Sequence, residues 1–150
     1  GDLRCAERHF ADALAAGADI NTITMNALLD AAAKSGNATA AEYWYDFCRN
    51  RGIEHDVMTF TSLIQATGKA AMAARRPSAR AGAAGPSAKE WFFEALDAGL
   101  RPDVVMLTAL VNAESAVGRY YPEEWMDMAS KYRIKLTGVA YSALVSAAAR

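Results

Sequence analysis

The chain is 150 residues long, 53% apolar with much of that alanine, and carries 16 basic against 17 acidic residues. This composition favours packed helices over disorder, and the near-neutral charge argues against a surface built mainly of phosphate contacts, which would show a basic excess. Two cysteines, Cys5 and Cys48, are too few for a disulfide scaffold, and no apolar run reaches the roughly 18 residues that span a bilayer.

The first predicted helix covers 2–16 and contains "AERHFADALAAG", which closes on Gly17, the usual left-handed residue after a helix end. Asn21 suits the cap of the next helix. Met25, Leu28, Leu29 and Ala32 then follow the i, i+3, i+4, i+7 spacing of a buried stripe, which predicts a helix over 22–34. A third, over 38–51, holds "AEYWYDFCRNRG" and stops at Gly52. Asp56 caps a fourth over 57–70, where Phe60, Leu63, Ile64 and Thr67 repeat the stripe. The segment "AAMAARRPSARAGAAGPSAK" follows, rich in Ala, Gly, Pro and Ser, with Arg75, Arg76, Arg80 and Lys89 and no acid. Its composition predicts a solvated, mobile loop over 72–86. The alternative is a basic finger that touches phosphate or a partner protein.

A fifth helix is predicted over 88–98 ("AKEWFFEALDAG"), a sixth over 104–117 after Pro102 and Asp103, a seventh over 122–133 and an eighth from about 138. Tyr141, Leu144, Val145 and Ala148 form the stripe of the eighth. In the sixth, Leu107, Leu110 and Val111 keep the stripe, but its fourth place is Glu114. A carboxylate there is costly unless it is paired, and nothing in the sequence explains it.

The helices recur. Asn21, Asp56, Asp103 and, more weakly, Thr137 open similar phrases at intervals of 35, 47 and 34 residues, and Gly17, Gly52 and Gly99 precede the first three by four residues each. Trp44, Trp91 and Trp125 share one column, with His9 in the same place one period earlier. Such a period marks a repeat array. The fold expected is all-α, an α-solenoid of antiparallel helical hairpins of about three and a half to four units, with the even-numbered helices lining one surface. The units are 1–21 (partial), 22–56, 57–103 with a 12-residue insert near 72–86, 104–137 and 138–150 (partial), all in one segment, 1–150. Gly1 aligns with Gly36 and Gly118, a phase that predicts a slice of a longer array.

"DVMTFTSLIQATGKA", "GLRPDVVMLTALVNA" and the full unit "TITMNALLDAAAKSGNATAAEYWYDFCRNRGIEHD" closely resemble the pentatricopeptide repeat consensus. The first-helix tetratricopeptide pattern W-x2-L-G-x2-Y is absent. The resemblance implies an organellar protein, of mitochondrion or chloroplast, that holds single-stranded RNA and reads one base per repeat. It assigns base reading to Asn26, Thr61, Thr108 and Ser142, together with Asp56, Asp103 and Thr137. Asn26 with Asp56 resembles a uracil-reading pair, Thr61 with Asp103 a guanine-reading pair, and Thr108 with Thr137 matches no strong pair. Ile23, Met58, Val105 and Val139 would press on base faces, and Lys34 and Lys69 would lie near phosphate, where Ala116 breaks the column. The same columns also suit plain capping and first-turn chemistry, and the lysines suit a solvated face.

No Gly-rich phosphate loop, Gly-x-Ser-x-Gly elbow or deaminase signature is present. Cys5 and His9 lie one helical turn apart without two further ligands, so neither metal nor cofactor is expected. An enzyme and a small-molecule substrate are therefore the least supported readings. Two remain: RNA binding in processing, stability or translation, and a structural subunit whose solenoid scaffolds protein contacts in a large organellar complex.

Overall fold

A computed structural model describes residues 2–74, 85–119 and 121–148, and all its regular structure is helical. In chain order the elements are α1 (Leu3–Ala15), α2 (Thr22–Ser35), α3 (Ala38–Asn50), α4 (Val57–Ala74), α5 (Ala88–Asp97), α6 (Val104–Ala116), α7 (Pro122–Lys131) and α8 (Gly138–Ala148). The mobile-loop expectation falls largely on 75–84, outside the described residues. Its first residues, Met72 to Ala74, belong to α4, because the alanine-rich run has high helix propensity.

Local chemistry sets most of the starts. Asp2, Asn21, Asn37, Ser87 and Asp103 each accept a backbone N–H from three residues ahead. Each odd-numbered helix ends in the same way. The N–H groups of Ala18, Ile53, Leu100 and Ile134 donate to the carbonyls of Ala13, Cys48, Ala95 and Ala129 at 2.8–3.0 Å, the six-to-one bond of a Schellman end. The left-handed residues of these turns are Gly17, Gly52, Gly99 and, in the fourth, Arg133 at φ 54°.

The even-numbered helices pack in succession, α2 on α4, α4 on α6 and α6 on α8, and the odd-numbered ones pack on their even neighbours. The stripe lies between these layers: Met25, Leu28, Leu29, Phe60, Leu63, Ile64, Leu107, Leu110 and Val111 are all buried. On α8 the stripe is uncovered, with Tyr141 and Val145 exposed. The tryptophan column also repeats in space. Trp44 meets Phe10 edge-on at 5.1 Å and 72°, and Trp91 meets Tyr45 at 5.0 Å and 72°, favourable aromatic geometry. Trp91 and Trp125 are buried, whereas Trp44 is half-buried and donates its indole N–H to Glu7 at 3.2 Å.

Glu114 is buried too. Its Oε2 lies 3.7 Å from Nη1 of Arg119, and it borders a cavity of about 190 Å³ shared with Thr67, Gly85 and Pro86. The pair is the partner that a buried carboxylate requires.

Candidate functional site

The successive even-numbered helices present one face, and its apolar residues are out of place for a soluble surface. Ile23, Met58, Val105 and Val139 are 78%, 66%, 54% and 73% exposed. Each sits at the second helical position, one residue before the turn of the helix goes inward, so the register forces the side chain outward. Four equivalent exposed apolar residues, one per hairpin, make a regular ladder.

Between two rungs lies a groove of about 670 Å³ walled by α4, α6 and the start of α8. Val105 and Val139 stand over it, Thr108 and Thr137 line it, and Gln65, Lys69, Met72 and Asn112 complete its sides. The structure thus brings together three expected columns at this point: apolar rung, first-turn hydroxyl and cap residue. Gln65, Met72 and Asn112 were not expected. Met72 reaches the groove because α4 continues past the length of the other first helices, which no period could signal.

Of the expected reading pairs, one is directly bonded. The amide nitrogen of Asn26 donates to both carboxylate oxygens of Asp56, at 3.0 and 2.9 Å. Thr59, also not singled out from sequence, joins them. Its hydroxyl donates to Oδ1 of Asn26 at 2.7 Å and lies 3.0 Å from Oδ1 of Asp56, and it accepts the Asp56 N–H at 3.2 Å. Asp56 in turn accepts the Thr59 N–H at 2.9 Å. This is a reciprocal cap with threonine in the place usually held by glutamate or glutamine. The three-residue spacing of Asp56 and Thr59 was the legible signal for it.

The other pairs are not joined by hydrogen bonds among the described residues. Thr61 and Thr108 donate their hydroxyls to the carbonyls of Val57 and Val104, at 2.7 and 2.6 Å. Each oxygen is left as an acceptor only; Thr61 is buried and Thr108 half-buried. Asp103 accepts the Met106 N–H at 2.8 Å, and Thr137 accepts that of Ala140 at 3.4 Å. Ser142 is exposed. Lys34 pairs with Asp30 at 2.6 Å. The Lys69 ammonium donates to the Lys34 carbonyl at 3.3 Å, at the C-terminal end of α2, where a cation is favoured.

Between the two layers, Tyr45, His55, Phe60 and Trp91 form an aromatic cluster, with Tyr45 stacked on His55 at 4.5 Å. The Tyr45 hydroxyl donates to Glu94 at 2.7 Å. Burial and this bond push the phenol well above its usual range, and burial holds the His55 imidazole below its ordinary value. Burial also pushes the Cys48 thiol up to about 11, which makes it a packing residue rather than a nucleophile. Among the described residues no three His, Cys, Asp or Glu side chains are grouped to hold a metal, and no helix is long and apolar enough to cross a membrane.

Residues 10–69 match the family model of the pentatricopeptide repeat domain. No curated protein sequence matches the chain. Among solved structures, the pentatricopeptide repeat protein PPR10 in complex with an 18-nt psaJ RNA element is similar over 97% of this chain, with a TM-score of 0.75 and 19% identity. A cysteine-to-serine form of PPR10 with the same RNA element is equally similar. The chain spans only 21% of the length of either, and at this identity the likeness establishes the fold as an α-solenoid. Repeated caps, a shared tryptophan column and the matched family model all describe one kind of unit, and residues 10–69 of this α-solenoid are pentatricopeptide repeat sequence.

Proposed function

We propose that the ladder face binds single-stranded RNA, one base per hairpin, as a segment of an organellar protein acting in RNA processing, stability or translation. The observation that carries this is the apolar ladder itself: four isolated, exposed side chains at equal register, each beside a hydrogen-bonding residue, suit planar bases better than a continuous protein surface. PPR10, the similar solved array, is itself in complex with RNA.

The chemistry at each rung supports this reading. Thr61, its proton committed to Val57, offers a lone pair, which suits a donor such as guanine N1–H. With one proton shared between the two Asp56 oxygens, Asn26 keeps a second amide N–H and one oxygen lone pair, which suits the mixed edge of uracil. The phosphate role of Lys34 and Lys69 requires each to leave an intramolecular partner, Asp30 or the Lys34 carbonyl. That observation, with the near-neutral charge, favours the second reading, a scaffold subunit for protein contacts.

The experiment is an array carrying Asn26→Thr, assayed at low salt against RNAs that differ at one base. A preference moving from U toward G at one site supports base reading. Unchanged preference, or no binding by the parent, leaves the scaffold. Stacking contributes about 1–3 kcal/mol per base against roughly 4–15 kcal/mol for association. The 150-residue chain therefore binds weakly alone, and its titrations call for high protein concentration.

A further inference from the structure

We propose that Thr59 is a third, positioning member of the Asn26–Asp56 site, and that it fixes which of two pyrimidines that site accepts. The inference rests on the RNA-binding reading above and deepens it.

An asparagine amide has a donor end and an acceptor end of nearly equal shape. Turned over, it presents the opposite pattern to the groove. Uracil and cytosine differ in the same sense: uracil carries a donor at N3, and cytosine carries an acceptor there with a donor amine beside it. A freely turning amide would serve both. Discrimination between them requires an amide held in one orientation.

Two anchors hold this one. Asp56 takes the nitrogen end with both carboxylate oxygens, which excludes the oxygen end from that side by charge. A single anchor leaves the amide free to pivot about it. The Thr59 hydroxyl supplies the second anchor on the opposite end, at 2.7 Å from Asn26 Oδ1. The hydroxyl cannot turn away. It lies in a buried side chain and accepts the Asp56 N–H, so its one proton points into the Asn26–Asp56 pair. Thr59 thus binds no RNA itself; it stiffens the residues that do. Met106 and Ala140 occupy its place in the next two units, so those units lack the device.

The test uses the chain with Thr59→Val, Thr59→Ala and Thr59→Ser, titrated by NMR with short RNAs that carry U or C opposite this hairpin. Valine keeps the volume and loses the hydroxyl, alanine covers the case in which valine fails to fold, and serine keeps the bond. The expected result is a U-over-C preference reduced roughly threefold to tenfold in the valine or alanine variant, the effect of one lost hydrogen bond, and restored by serine. A loss of affinity equal for both RNAs means a helix cap only and overturns the proposal, as does an unchanged preference. If the parent chain shows no U-over-C preference, the base-reading function falls and the lock with it. If the preference exists and survives Thr59→Val, the lock falls alone.

Discussion

A Cβ placed on Gly68 would lie 2.7 Å from the Cβ of Ala113 and 2.9 Å from its Cα, so α4 and α6 approach as closely as they do only because residue 68 has no side chain. The atoms met are those of a helix backbone and its first carbon, and they cannot swing aside. Gly68→Ala is therefore expected to lower the unfolding free energy by about 1–3 kcal/mol through overpacking, even though alanine gains up to about 1 kcal/mol in helix propensity. Urea unfolding checks it. A more stable variant would show that the helices separate without cost.

Arg133 presents the opposite case. It stands at φ 54° in the turn that Gly17, Gly52 and Gly99 fill in the other hairpins. A left-handed non-glycine residue costs roughly 1–2 kcal/mol, partly offset because glycine loosens the unfolded chain. Arg133→Gly should raise the unfolding midpoint by the equivalent of about 0.5–1 kcal/mol. A lower midpoint would mean that the side chain makes contacts worth more than the strain.

Glu114 and Arg119 should behave asymmetrically. Arg119→Ala leaves a buried carboxylate without its cation and is expected to destabilise by about 1–3 kcal/mol. Glu114→Met removes the buried charge while keeping an unbranched chain of similar volume. It should be neutral or stabilising, and Arg119→Ala should cost little on that background. Additive losses in the double-mutant cycle would exclude the pairing.

His55 makes stability depend on pH. Its imidazole is depressed below the ordinary 6.5 by burial first, with Arg49 acting the same way and Glu94 and Asp56 opposing. The folded state thus binds fewer protons than the unfolded one, so stability rises with pH. The contribution is complete above about pH 6.5 and is lost as pH falls through the lower folded value. Chemical unfolding between pH 7.5 and 5.5 should show the slope, and His55→Phe, which keeps a ring to stack on Tyr45, should flatten it. Glu42, raised above its ordinary 4.5 by burial and then by Asp46, acts in the opposite direction.

Helices, caps and the solenoid were legible in the residues alone, because these depend on interactions a few positions apart. The predicted helix over 22–34 forms as Thr22–Ser35, and Asn21 and Asp103 cap as their positions imply. The outward register of Ile23, Met58, Val105 and Val139 was legible for the same reason: a helix of known phase fixes which residues face away from its buried stripe. The longer α4 escaped detection because no period marks where an alanine-rich run stops being helical, and with it went Met72 as a wall of the groove. The family resemblance already paired Asn26 with Asp56, 30 positions away, but only the tertiary structure bonded them directly and added Thr59, 33 positions from Asn26. It alone paired Glu114 with Arg119 and set Gly68 against Ala113. Such contacts depend on the distance between neighbouring helices and the rotamers they leave open, which the packing of the whole array fixes and no local pattern encodes.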